Sequence, residues 1–238
     1  YVGGEGETNY VYNSVFEGNN ATDGNGGAIN WMASSGTIVN SNLTNNNAYY
    51  GGGIYFGGLS NESIITRCIF TDNHAKYNGG AIDCRGENLT IDYVDFTNNG
   101  AYTGGAIYMA SDSKNIRIFD SNFTSNYAMG DGGALGLKAD SLTINNTIFK
   151  SNTAVHNGGA IYASHNDFTT DPKIITLTGS GVFQQNQSSY GGGMYVSGNI
   201  KMVFAGNIMN NHAVNGGGLF LSNGAELSVT GGILKHNK

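Results

Sequence analysis

The sequence predicts an all-β fold, a parallel β-helix of about nine turns with about 26 residues per turn, and three observations carry that expectation. The first is a mark made of an apolar residue followed three positions later by Asn. It begins at Phe16, Leu43, Phe70, Phe96, Phe123, Phe149, Phe183, Ile208 and Leu234, and its partners are Asn19, Asn46, Asn73, Asn99, Asn126, Asn152, Asn186, Asn211 and Asn237. The second is Gly-Gly-small-aliphatic, beginning at Gly26, Gly51, Gly79, Gly104, Gly132, Gly158, Gly191 and Gly216. The third is a period of two, as in Leu142 to Asn145 and Ile161 to Ala163, with no window at helical spacing. A composition of 38 Gly and 33 Asn against one Pro disfavours helix and supplies residues that tolerate positive φ.

Stacking equivalent positions separates inside from outside. Ile29, Ile54, Ile82, Ile107, Leu135, Ile161, Met194 and Leu219 face inward, and so do Trp31, Phe56, Cys84, Met109, Leu137, Ala163, Val196 and Leu221 two residues on. Between them Asn30, Tyr55, Asp83, Tyr108, Gly136, Tyr162, Tyr195 and Phe220 point outward. A second inward strand carries Val11, Ile38, Ile65, Ile91, Ile118, Ile144, Val203 and Val229, and the Phe marks add a third wall, so three short strands are expected per turn. Each marked Asn suits a bend where its amide bonds the backbone and the identical amide one turn away. The Gly pair suits a bend that no Cβ would allow.

Along the chain, a Gly-rich entry holds Glu5 and Glu7, and Trp31 plugs the core of the first full turn. The turns from Leu43 to Ala110 are regular, with Thr44, Thr71, Thr97 and Thr124 as an outward, strand-favouring file. Two cysteines make no disulfide framework, and Cys68 and Cys84 read as buried thiols. The turn that begins at Phe149 is different: residues 164–173 insert about eight extra positions, with His165, Asp167, Asp171 and the lone Pro172, before a strand at Ile174 to Leu177. Asp167 and Asp171 with loop carbonyls could hold a calcium ion weakly, and no other cofactor is expected. Regularity returns from Phe183 to Lys238, and residues 1–238 read as one repeat domain, a segment of a longer protein.

Charge and patterning exclude several functions. A net charge of −6 with eleven Lys and Arg leaves no basic stripe for nucleic acid, and the absence of an 18-residue apolar run argues against membrane insertion by this segment. The best carboxylate cluster is Asp92, Asp95 and Asp120 with Arg67, while Asp83 stands alone in the outward column. No Asp-Asp, Gly-His-Gly or Arg-x-Lys arrangement accompanies them, so solvated carboxylates are expected rather than an enzyme, with a polysaccharide hydrolase or lyase as the weakest alternative. His74 and His212 share a column five turns apart, about 24 Å, too far for a shared metal. Seven Asn-x-Ser/Thr sequons, at Asn20, Asn42, Asn61, Asn88, Asn122, Asn145 and Asn186, permit glycosylation.

The two marks are literal in several places, Phe-x-x-Asn at Phe16, Phe70, Phe96, Phe123, Phe149 and Phe183, and Gly-Gly-Ala-Ile at Gly26, Gly79, Gly104 and Gly158. In this the chain resembles the repeats of chlamydial-type polymorphic outer-membrane proteins and of the adhesin-like surface proteins of methanogenic archaea. The resemblance covers essentially the whole chain, with Leu43, Ile208 and Leu234 in place of Phe and Gly53, Gly193 and Gly218 in place of Ala. It implies a right-handed β-helix, extracellular on the cell surface, that attaches to a glycan or protein of another cell and carries no catalytic residues. A structural sheath repeat that self-associates end to end or laterally is the alternative. For binding, the residues point to Tyr162, Tyr195 and Phe220 on three consecutive turns, whose faces could stack on sugar rings or an apolar patch. The inserted loop, with His165, Asp167 and Asp171, should rise beside Tyr195 and make a one-sided groove.

Overall fold

A computed structural model describes residues 8–58 and 60–238 as a parallel β-solenoid. The entry with Glu5 and Glu7 lies outside the described residues. Strands pair in parallel between equivalent positions of successive turns, as in Phe96↔Phe123↔Phe149 and Ile82↔Ile107↔Leu135. The eight strands of one wall, from Ile29–Trp31 to Leu219–Ser222, count about eight turns. A seven-stranded wall runs from Asn47–Tyr50 to His212–Asn215, and a sixteen-stranded sheet supplies the other two walls.

A turn therefore has four short strands rather than the expected three: one circuit is Ile54–Phe56, Ile64–Thr66, Ile69–Thr71 and His74–Asn78. The strand missed in the sequence belongs to the seven-stranded wall. Its inward column is Ala48, Ala75, Ala101, Ala128, Ala154, Ser188 and Ala213, all buried. Such small side chains on strands of two to five residues give almost no alternation of hydropathy.

Three corners per turn take left-handed backbone. Asn40, Arg67, Tyr93, Asp120 and Asn146 have φ between 45° and 52°, and Asn45, Asp72, Asn98, Ser125 and Ser151 between 55° and 57°. The first Gly of each pair makes the third corner at φ 60° to 70°. The second Gly is required for another reason: a Cβ on Gly105 would overlap the Gly133 carbonyl one turn away.

The core follows the marks. Phe70, Phe96, Phe123, Phe149 and Phe183 are buried and stack face to face, with ring centroids 5.0, 4.6, 4.9 and 4.7 Å apart and planes within 17°. Trp31 is fully buried and packs on Phe56 at 5.9 Å. Cys68 and Cys84 are buried free thiols, and burial pushes Cys84 up to about 12. The Asn ladder runs unbroken from Asn19 to Asn237. Asn126 shows the pattern. Its Nδ2 donates to Asn152 Oδ1 and to the Phe96 carbonyl, each at 3.0 Å, and its Oδ1 accepts from the backbone and side-chain N–H of Asn99, also at 3.0 Å. Asn186 is locked into this ladder and fully buried, so its sequon is closed to glycan attachment.

One expectation about an inward column needs correction. In the second inward column Leu177 and Phe204 follow Ile144, while Val203 pairs with Thr176 and is 36% exposed. A one-residue slip reverses every side chain of a strand, and the longer turn before it hides the register. The corner between the two walls of the large sheet also opens at this end. Ile200–Met209 is one continuous strand that pairs with both Lys173–Thr178 and Val182–Gln184, and so it joins the two walls.

Candidate functional site

The one long step of the Asn ladder, 34 residues from Asn152 to Asn186 against 25 to 27 elsewhere, marks the inserted loop. It leaves the strand Ile161–His165 and folds over the next two turns. Asn199, on the turn of Tyr195, holds it by donating from Nδ2 to the carbonyls of Asp167 (3.2 Å) and Thr170 (2.8 Å), and by donating its backbone N–H to His165 O (2.7 Å). Phe168 reaches Gly224 on the turn of Phe220, where a Cβ would stand 3.2 Å from the ring. The loop thus rises beside Tyr195, as expected.

Between the loop and the wall lies an open cleft of about 340 Å³ lined by Ser111, Lys138, Tyr162, Ser164, His165, Asn166 and Asp167. The structure brings Tyr162, His165 and Asp167 together there. His165 Nε2 is 3.1 Å from Thr170 Oγ1, and Asp167 Oδ1 accepts from the side chain and backbone N–H of Thr169, which holds its carboxyl below the usual value. Asp171 is on the other side of the loop, in a depression with Asp140, Thr170, Pro172 and Lys173, where Lys173 forms an ion pair with Asp140. Asp167 and Asp171 therefore line different depressions, and among the described residues no three His, Cys, Asp or Glu side chains gather as a metal site.

Tyr195 and Phe220 are not in the cleft. They continue the file from Tyr162, with centroids 5.5 Å and 5.3 Å apart and planes 23° and 8° apart. The faces inside this file cover one another, and Tyr190 closes edge-on against Phe220 at 5.4 Å. The file offers a partner its ring edges and hydroxyls, and Tyr162 alone among the three lines the cleft.

The outward column is less exposed than its pleat suggests. Asp83 is fully buried, in an ion pair with Arg85 (Nε to Oδ1, 3.0 Å), and Arg85 lies over the rings of Tyr50 and Tyr55 at 5.3 and 5.6 Å. Burial raises the Asp83 carboxyl to about 6, against the opposing pull of Arg85. The physical reason is the glycine corner, which swings the preceding residue back over the next turn. Tyr50 thereby reaches Arg85, and Tyr190 reaches Phe220. Of the other carboxylates, Asp92 is raised by burial and then by Asp120, with Arg67 opposing, whereas Asp95 accepts from Asn122 Nδ2 at 2.8 Å. His74 and His212 stand five strands apart in one column, as expected.

Comparison with known proteins agrees with the marks. The Chlamydia polymorphic membrane protein repeat matches at residues 67–85, 93–110 and 146–164. The chain is similar to a probable outer membrane protein pmp6 of Chlamydia pneumoniae, 34% identical over 136 residues, which is 51% of this chain and 10% of that protein. The cell-surface location expected from the sequence agrees with that likeness. No solved structure matches. With its Phe stack, Asn ladder and glycine corners repeated at the matched spacing, the chain is a parallel β-solenoid built of polymorphic outer-membrane-protein-like repeats.

Proposed function

We propose that this segment is a non-catalytic, extracellular attachment module that presents the wall of Tyr162, Tyr195 and Phe220, with the loop beside it, to a glycan or protein on another cell. The observation that supports this most is the cleft of about 340 Å³ between Tyr162 and the loop, because it is concave, polar at Lys138 and His165, and set on rigid strands. The likeness to an outer membrane protein supports the surface role. The buried Asp83 cannot touch a substrate, and Asp95 and Asp120 accept from Asn122 and Asn146, which favours attachment over hydrolysis or elimination.

The test is binding of the purified chain to a glycan array and to cultured cells. Tyr162→Ala combined with Tyr195→Ala, or replacement of residues 165–172 by a short turn, is expected to abolish binding while the melting temperature falls by a few degrees. Binding that survives both changes sinks the site assignment. New reducing ends or unsaturated products from a polysaccharide panel would sink the non-catalytic reading.

A further inference from the structure

The seven-stranded wall carries a second cleft, of about 310 Å³, lined by His74, Ala75, Lys76, Gly100, Ala101, Tyr102, Tyr127 and Met129. Two glycines make room for its two aromatic rings. Gly100 occupies a column that otherwise holds Asn47, His74, Tyr127, Thr153, Gln187 and His212. With no side chain there, the Tyr127 ring lies across Gly100, which a Cβ would overlap, and its hydroxyl is 3.1 Å from His74 Nδ1, two turns away. A Cβ on Gly130 would stand 3.0 Å from Tyr102 Cε1, so Gly130 gives the Tyr102 ring its place. Tyr102 and Met129 nevertheless remain 52% and 65% exposed.

One end of this aromatic floor is cationic. The Lys76 ammonium sits 4.6 Å from the Tyr49 ring centre and 5.2 Å from that of Tyr77, an arrangement that holds it at the rim without neutralising it. No carboxylate lines the cleft, and no salt bridge among the described residues uses Lys76. In a chain of net charge −6, a cation held over two tyrosines, one of which donates its hydroxyl to Asp23 at 2.8 Å, with no carboxylate in the cleft itself, is a place for a ligand's acid.

We infer that this cleft binds an acidic pyranose, a sugar ring carrying a carboxylate such as a uronic acid. The apolar face of the ring stacks on Tyr102 and Tyr127, and the carboxylate meets Lys76 and His74. The cleft volume is at the lower end of the range for small-ligand sites and suits one or two sugar rings. This site lies on a different wall from Tyr162 and does not depend on the attachment reading above.

The experiment is a titration of the ¹⁵N-labelled chain with methyl β-glucuronide and, separately, methyl β-glucoside, followed by amide shifts. Shifts are expected at residues 74–76, 100–102 and 127–130, with the glucuronide binding about fivefold tighter, the size of an exposed ion pair. Lys76→Gln should make the two affinities equal. Tyr102→Ala should weaken both about tenfold, as loss of one aromatic face does. Tyr162→Ala with Tyr195→Ala should leave both affinities unchanged, which separates this site from the first. The assignment is overturned if neither sugar shifts these amides, if the shifts centre elsewhere, or if wild-type affinities are equal. It is equally overturned if Lys76→Gln, a change at an exposed side chain, keeps the preference.

Discussion

Two aromatic files run along this solenoid, and the difference between them separates stability from recognition. The inner file, Phe70 to Phe183, is completely buried and flanked by the Asn ladder. The outer file, Tyr162 to Phe220, stacks at nearly the same spacing but is half-buried, with one side toward solvent. In-register parallel strands bring identical positions together on either face of the sheet, so stacking by itself says nothing about role. What differs is desolvation. A buried ring in a filled core contributes its full transfer and packing energy, whereas an outer ring contributes part of that and keeps an edge available to a partner.

The comparison can be broken most forcefully at Phe123. Phe123→Ala opens a cavity between two stacked neighbours and is expected to lower stability by about 3–5 kcal/mol in urea melts. A loss under about half a kilocalorie would show that the inner file is not the core. Asn126→Ala comes next, at about 2–3 kcal/mol, because two donors of Asn99 and the Phe96 carbonyl lose a buried partner together. An Asn126→Asp variant should recover little, since it accepts but cannot donate to Phe96.

Asp83 sharpens the contrast, as a member of the outer column that has been covered. Its folded pKa of about 6 lies above the ordinary value of 3.8, so the folded state binds the proton more tightly. Its contribution to stability is therefore most favourable below pH 4 and is lost as pH rises through about 6. Urea melts at pH 4.5 and 7.5 should show wild type gaining about 1–2 kcal/mol relative to Asp83→Asn at the lower pH. No difference between the two proteins across that range would mean the carboxyl is solvated. The smallest stability effect belongs to the outer file. Tyr162→Ala removes one stacked face and should cost about 1 kcal/mol, a shift of about 2–4 °C for a domain of this size. A loss as large as that of Phe123→Ala would erase the distinction between the files.

Much of the architecture was legible in the sequence, because one turn per repeat places like residues above like. The Phe marks, the Asn ladder and the first inward column could be read by aligning the chain with itself, and the structure stacks Phe96, Phe123 and Phe149 as that alignment requires. The failures have separate causes. Ala75 and Ala101 are too small to signal a strand, and Val203 was assigned inward because the inserted loop broke the count.

By itself, then, the sequence determined the coil of parallel strands, its ladders and the place of the long loop, since these follow from periodicity and from side-chain chemistry repeated in register. Only the tertiary structure decided which outward residues meet solvent. Asp83 is buried by Arg85, with Tyr50 and Tyr55 packed around that guanidinium, and Tyr127 crosses Gly100 to reach His74, 53 residues earlier in the chain. Such coverage depends on which large side chain lies beside which glycine on a neighbouring turn, a relation between turns that no alternation within a strand records.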